Sequence, residues 1–567
     1  MRATLPGLFF LAVASGCSFA ITFTERPAQG MQWETAVFRF SENLGRENPF
    51  DCEMNRICLH IRQPDSTLAK LSFFYDGLSA DSVEKWEARF SPKLPGTYTC
   101  SLFIDNRLRD QFILPVEASG KKRRGGLTRS KEPGCFRFES GEAFRGIGVN
   151  ICWADDYEYY FRKMKDAGMN VTRIWLCPWN LPLEWSKTGL GRYDLKSAQR
   201  LDTILEKANR YGIYVLLCMD YHGVAQKEQG FFRENRWREN PYNRANGGPC
   251  VNPEDLFTDS TAESFARKKY AYIVSRYGFS PNIVAWEFYN EADLMAGKAV
   301  PINRWHVAMA RYVRAIDSHH RMISTSGTRR FFEKLVDAFR DSSFDFVMYH
   351  DYNMLDVAPH LINIIEMGDE FYGKPVVIGE FGIEFRSGAM TAAEDPEHVG
   401  LHNGIWAGFF SATPILPMSW WWDSYIDKQD LWYLFGNLTR FTDSLDFNAR
   451  PVAIGRLQAD YQRQHPKSKV LCHAHMVRAG CRYAVWFKSG NYVWSAKSSG
   501  LKQVALNTFT QKVPGVTPGK YSVTWYNPQT GAFSETKRIA AVNKSGVLTL
   551  TVPSFAKDAA CLIVPVK

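Results

Sequence analysis

The chain has 567 residues, 45% hydrophobic and 23% charged, with a formal net charge of +10. Its length suggests three or four domains, and its composition is that of a soluble globular protein with a real core. The one dense basic run, Lys121-Lys122-Arg123-Arg124, precedes Gly125-Gly126 and carries neither interleaved aromatics nor a nucleic-acid motif, so it reads as a solvated linker and makes no case for a nucleic-acid partner.

In chain order, Arg2 precedes an apolar stretch from Leu5 to Ala14 and small residues ending at Ala20. This is the layout of a secretory signal peptide over residues 1–20, and it is too short to span a membrane. Ala14-Ser15-Gly16-Cys17 partly matches a lipoprotein box, so lipidation at Cys17 is the alternative to cleavage after Ala20. Either route places the protein outside the cytoplasm: secreted, periplasmic or on the cell surface. No later segment approaches 18 consecutive apolar residues, so no integral membrane segment is expected. Of twelve cysteines, eleven remain after cleavage, without zinc-site spacing and too sparse for a disulfide scaffold. Cys152, Cys177 and Cys218 lie in apolar runs and read as buried small hydrophobes. One disulfide is permitted among Cys52, Cys58 and Cys100, and one among Cys472, Cys481 and Cys561.

Residues 21–118 alternate apolar and polar residues between Pro, Gly, Asn and Asp clusters, which predicts a β-sandwich. A linker follows at 119–127. From 128 to 448, apolar runs at 144–153, 170–177, 213–219, 283–289, 321–325, 344–349, 375–381 and 414–422 alternate with amphipathic patterns such as Tyr157, Tyr160, Phe161, Met164 and Leu201, Ile204, Leu205, Ala208. Eight strand–helix repeats predict an α/β fold, a (β/α)8 barrel, with a long loop at 223–260 that contains Phe231, Phe232 and Trp237. A second linker at 449–465 leads to alternating segments over 466–567, a C-terminal β-sandwich.

In such a barrel the C-terminal strand ends form the site. Those ends read Arg173-Ile174-Trp175, Asp220-Tyr221-His222, Tyr289-Asn290-Glu291, His350-Asp351-Tyr352, Gly379-Glu380-Phe381 and Trp420-Trp421-Trp422-Asp423. Polar and aromatic groups thus gather at one rim. The 17 Trp and 25 Tyr are mostly core, yet planar rings are also what a sugar groove needs. Glycoside cleavage needs two carboxyls, one protonated and one ionised, at about 5–5.5 Å for retention or about 6.5–9.5 Å for inversion. Glu291 and Glu380, the two glutamates among these strand ends, are the candidate pair. Glu287, on the same face as Glu291, is expected one layer deeper as a hydrogen-bonded support. Glu384 could be a loop carboxylate that binds substrate. His222 and His350 could instead be core histidines, and Arg173 a structural ion pair.

Ile283-Val284-Ala285-Trp286-Glu287-Phe288-Tyr289-Asn290-Glu291 resembles the fourth strand of clan A glycoside hydrolases, above all family 5, and Val376-Val377-Ile378-Gly379-Glu380-Phe381-Gly382 resembles their seventh. The resemblance covers most of residues 140–430. It implies that Glu291 is the acid/base, Glu380 the nucleophile and Asn290 a contact to the sugar 2-hydroxyl. It further implies that Arg173, His222, His350 and Tyr352 belong to the substrate site, with Trp420 or Trp422 as the sugar platform. The implied activity is retaining hydrolysis of a β-linked glycan, of β-glucan or β-mannan type, with a β-mannosidase or β-galactosidase as runner-up. No metal or organic cofactor is implied. The flanking domains resemble β-domains found beside related barrels, the C-terminal one carrying a collagen-binding label. Two rival readings are a carbohydrate-binding adhesin on the same barrel and a protein-binding module with a vestigial barrel.

Overall fold

The computed structural model describes residues 21–120, 123–226, 236–329, 334–445, 453–455, 457–496 and 498–566. The leader at 1–20 with Cys17, the pair Lys121-Lys122 and the loop residues Phe231 and Phe232 lie outside the described residues.

Residues 21–118 fold as two facing sheets of four and five strands. Alternation puts Phe38 and Phe40 of one sheet against Ile57, Leu59, Ile61, Tyr98 and Leu102 of the other, in one shared core.

The barrel follows. Its parallel strands are Gly148–Asn150, Val171–Trp175, Tyr214–Tyr221, Ile283–Asn290, a fifth in two pieces (Met322–Ser324 and Ser326–Thr328), Val347–Tyr352 and Val376–Gly382. Strands buried on both faces need continuous apolar runs, which is how they read in the sequence. The helices between them start on acids: Asp156, Asp194 and Asp259 each accept a backbone N–H of the first turn. Helix 195–211 ends on Gly212 in the left-handed region, the conformation a non-glycine residue resists.

Two strand expectations need correction. The run 144–153 is two elements: Ala143–Phe144 closes a small three-stranded sheet with Leu127–Arg129 and Phe136–Phe138, and only Gly148–Asn150 enters the barrel. The run 414–422 closes the barrel through single bridges, Ile415 to Gly146 and Ser419 to both Val149 and Phe381, and forms no continuous strand. The described parts of both linkers are likewise folded. Leu127 opens the small sheet, Arg123 pairs with Glu34, and Arg124 lies 4.0 Å over the Phe138 ring. Residues 453–455 pair with Arg478–Met476 as an edge strand, and Asp460 and Gln511 exchange hydrogen bonds with the backbone around them. Composition signals solvated turns there, whereas pairing to a neighbouring sheet edge satisfies the same backbone groups.

The C-terminal domain is a six-stranded sheet backed by the pair Phe509–Val513 and Leu548–Val552. It is welded to the barrel: Trp486 and Tyr526 stack among Trp406, Phe410 and Phe441, while Asp558 bonds His402 at 2.7 Å and the Trp486 indole at 3.0 Å. The N-terminal domain docks through buried Arg276, which bonds Asp76 at 2.9 Å and Asp202 at 2.6 Å. All eleven cysteines among the described residues are free thiols, and Cys481 alone is exposed. No helix among the described residues is long and apolar enough to cross a membrane.

Candidate active site

The barrel interior is layered. Its lower half is apolar, with Val171, Leu216, Ala285, Met322, Met348, Val377 and Met418 packed on the small sheet's Phe136, Phe138 and Phe144. Since alternate strand residues share a face, the next inward positions up the second, fourth and sixth strands are Arg173, Glu287 and His350. On strand seven simple alternation would turn Gly379 inward. A bulge intervenes, because Tyr349 pairs with Ile378 but His350 pairs with Glu380. The extra residue re-aims the chain, so Glu380 faces the interior and Phe381 packs outward on the helix carrying Gly404.

The charges form one network. Arg173, fully buried, donates to both oxygens of Glu287 at 2.6 Å, to Glu380 Oε1 at 2.6 Å and to the Asn290 side-chain oxygen at 2.7 Å. The Tyr352 hydroxyl donates to Glu380 Oε2 at 2.6 Å. Burial drives the Tyr352 hydroxyl well above its ordinary pKa, which keeps that proton available to donate. His350 Nδ1 lies 3.1 Å from Glu291 Oε1 and 3.3 Å from Glu380 Oε1. Burial, with Arg173 nearby, holds His350 neutral, and burial pushes His222 down to about 4. His222 Nδ1 stands 3.2 Å from the Asn290 amide nitrogen and 3.6 Å from Glu291 Oε2.

Glu291 leaves strand four in the left-handed region, φ 49° and ψ 53°. Such a conformation costs a non-glycine residue about 1–3 kcal/mol, and it persists where the surroundings fix it. Here the Glu291 N–H donates to Ser326 Oγ, which in turn donates to Glu287, while Asp293 accepts from the Thr328 N–H at 2.9 Å and hydroxyl at 2.6 Å. Desolvation and then the Glu380 and Asp293 charges push the Glu291 pKa well above the carboxylate range. Burial also raises Glu380, but Arg173 and the Tyr352 hydroxyl pull it back. Asp293 itself is pushed by burial up to about 6. Two carboxyls set apart in this way are the arrangement in which one carries the proton and the other the charge.

Oxygens of Glu291 and Glu380 and a ring nitrogen of His350 lie within 4.8 Å of one another, a set that could ligand a cation. The Arg173 guanidinium already stands beside Glu380 as a cation, 2.6 Å from Oε1.

Above this layer opens a cleft of about 540 Å³ lined by Trp153, Trp175, Trp179, Tyr221, His222, Arg236, Asn290, Glu291, Tyr352, Glu380, Phe385, Arg386, Trp420 and Trp421. Of the sequence candidates, Glu291, Glu380, His222, Asn290, Tyr352 and Trp420 line it. Arg173 and His350 lie beneath it and touch the carboxyls, not the open space. Trp422 is a correction: it is buried, 4.9 Å from the Trp153 ring and behind it. The chain turns into a short helical segment at Trp422–Asp427, so strand parity stops one residue earlier. Glu287 is fully buried below, as its spacing predicts. Glu384 is turned into the wall and taken up by Arg386. Sequence reasoning missed Trp153, Trp179, Arg236, Phe385, Arg386 and Trp421 as lining residues. Trp153 follows the first strand and Trp421 sits within the strand-eight tryptophans, so both carried a positional signal; Trp179, Phe385 and Arg386 lie on loops, where no period applies.

A family model described as cellulase (glycosyl hydrolase family 5) matches residues 138–424. A probable mannan endo-1,4-beta-mannosidase A-2 of Aspergillus terreus is 25% identical over 303 residues, covering 48% of this chain and 70% of that protein. Mannan endo-1,4-beta-mannosidase 3 of Oryza sativa subsp. japonica is 28% identical over 188 residues, covering 30% of this chain and 37% of its own length. Among solved structures, a protein described as a putative glycoside hydrolase from Bacteroides vulgatus ATCC 8482 aligns over 95% of this chain and all of that one, with a TM-score of 0.65 at 16% identity, a likeness of fold.

Proposed function

This chain belongs to glycosyl hydrolase family 5, and on that premise we propose that it cleaves β-linked glycans of mannan or glucan type by double displacement, with Glu380 as nucleophile and Glu291 as acid/base. The observation that carries the roles is the unequal treatment of two carboxyls whose oxygens approach within 4.8 Å. That spacing suits retention, which needs about 5–5.5 Å between carboxyls. Arg173 and Tyr352 hold the charge on Glu380, whereas among the described residues no lysine or arginine contacts Glu291, and its neighbours Glu380 and Asp293 repel its ionised form.

In the first step a Glu380 oxygen bonds to the anomeric carbon while the glycosidic C–O bond breaks and the leaving oxygen takes the Glu291 proton. The ester neutralises Glu380, which removes one source of repulsion and lowers the Glu291 pKa. Glu291 then takes a proton from water, the hydroxide oxygen bonds to the anomeric carbon, and Glu380 departs as carboxylate. Arg173 holds the Asn290 side-chain oxygen, and Asn290 lines the cleft beside the two carboxyls, placed to hold the sugar 2-hydroxyl. Trp420 supplies the apolar ring face. The names of the mannanase relatives support mannan as the first polymer to try.

Retention and roles are tested together by chemical rescue. With a reactive aryl β-glycoside and azide, Glu291→Ala should yield the β-azide and Glu380→Ala the α-azide. On an unactivated polymer Glu291→Ala should lose about 10²–10⁴-fold in kcat/KM. Binding of a glycan with no hydrolysis of any β-linked substrate would favour the adhesin. Export through residues 1–20, with Cys17 lipidation as the surface-anchored form, is part of this proposal, and the mass of the mature N-terminus decides it.

A further inference from the structure

Two charged residues of the cleft wall have no part in the double displacement. Apart from Glu291 and Glu380, the charged lining residues are Arg236 and Arg386, and no lysine, aspartate or further glutamate lines the cleft among the described residues. Arg236 follows strand three and Arg386 follows strand seven. In a barrel of eight positions these strands stand opposite, so a sugar chain lying across the carboxyls has a guanidinium on each flank.

Arg386 is held rigidly. Glu384 Oε1 accepts its backbone N–H at 2.6 Å and its Nε–H at 2.8 Å, and Glu384 Oε2 accepts from Nη2. The Trp421 indole pins the same loop by donating to the Glu384 carbonyl at 2.9 Å. The acid is spent inside the wall: the Glu384 side chain is 2% exposed and the Arg386 side chain 57%. What a ligand meets is therefore the far edge of the fork, with Nη1 unengaged among the described residues. Arg236 lies with its guanidinium 5.8 Å from the centre of the exposed Trp179 ring. A fixed guanidinium edge above aromatic walls matches a planar or tetrahedral oxyanion, and its prepaid order makes the match effective.

We propose that this cleft is built for a β-glycan bearing anionic substituents, carboxylate or sulfate ester, with Arg386 as the principal contact and Arg236 as the second. The proposal rests on the glycosidase reading and narrows its substrate class. It also reverses the expectation for Glu384: the loop offers the sugar a cation in place of a carboxylate.

The test uses one neutral β-mannan in four forms: unmodified, partly oxidised at C6 to carboxylates, the oxidised form reduced back to neutral, and partly sulfated. Binding by affinity electrophoresis and kcat/KM by reducing-end release are measured on the full chain, on Arg386→Gln and on Arg386→Lys. Wild type should prefer an anionic form over both neutral forms by about tenfold, the value of one charge-assisted contact. The preference should shrink as ionic strength rises and fall toward one in Arg386→Gln, with part of it kept in Arg386→Lys. The better of the carboxylated and sulfated forms identifies the substituent. Equal use of neutral and anionic polymers by wild type, or a preference unchanged in Arg386→Gln, overturns the inference while hydrolysis with retention leaves the glycosidase intact. If no form is cut, the same binding ratios still decide for or against the arginine, and the failure belongs to the glycosidase reading.

Discussion

The two ends of the barrel are built on opposite principles. At the base, Phe136, Phe138 and Phe144 plug the strands with rings 5–6 Å from their neighbours, Phe136 on Phe346 at 5.5 Å and Phe138 on Tyr214 at 5.4 Å. At the rim, a few residues higher on the same strands, Arg173, Glu287, Glu291 and Glu380 are all buried. Apolar burial at the base favours the fold outright. Buried ions at the rim often do no better than an apolar replacement and fail badly when one partner is lost. One end is thus optimised for stability, and the other gives some of it up to keep two carboxyls poised differently.

The contrast can be broken most severely at Arg173. Arg173→Met should lower kcat/KM by about 10²–10³-fold, as loss of one preorganised charge contact does. It should also cost about 3–5 kcal/mol by stranding Glu287 and Glu380; steady-state kinetics and urea unfolding read the two losses separately. At the base, Phe138→Ala should cost a similar 3–5 kcal/mol of stability, yet leave kcat/KM of the folded protein unchanged. An equal loss of activity would mean that the two ends are not independent. The smallest effect sharpens the rim alone. Activity needs Glu291 protonated and Glu380 ionised, so the alkaline limb of the pH profile reports Glu291. The Asp293 charge raises the Glu291 pKa; Asp293→Asn removes that charge, the Glu291 pKa falls, and the alkaline limb should move down by about half a unit. A limb that stays in place would leave Asp293 with only its hydrogen bonds to Thr328.

The sequence made the rim legible and the base illegible for a physical reason. Strand periodicity is exact enough that Arg173, Glu287 and Asn290-Glu291 could be placed by counting from apolar runs, and Glu287 lands one layer below Glu291 as counting says. Counting fails where the period itself breaks: at the Gly379 bulge, at Thr325 between the halves of strand five, and after Trp421, so of the two platform candidates Trp420 lines the cleft and Trp422 is buried. The small sheet at 127–144 was hidden because its strands have two or three residues and carry no period. The stretches 119–127 and 449–465 look like linkers by composition because backbone pairing to a neighbouring sheet, as at Arg124, Gly126 and 453–455, leaves no mark on side-chain character. Arg386 was out of reach for a further reason: its exposure depends on Glu384 folding into the wall, and that contact is tertiary.

The thiols give the molecule a use independent of its catalysis. Cys481 stands at the tip of the hairpin between Cys472–Ala479 and Arg482–Ser489, open to any reagent, while Cys58 is half-buried and the other described thiols are shut inside the three domains. Among the described thiols a maleimide therefore tags chiefly Cys481. Every later increment of labelling records a wall coming down: Cys100 for the first domain, Cys52 for its seam with the barrel, Cys135, Cys152, Cys177, Cys218 and Cys250 for the barrel, Cys472 and Cys561 for the last. The chain carries its own stopwatch for the order in which its parts open.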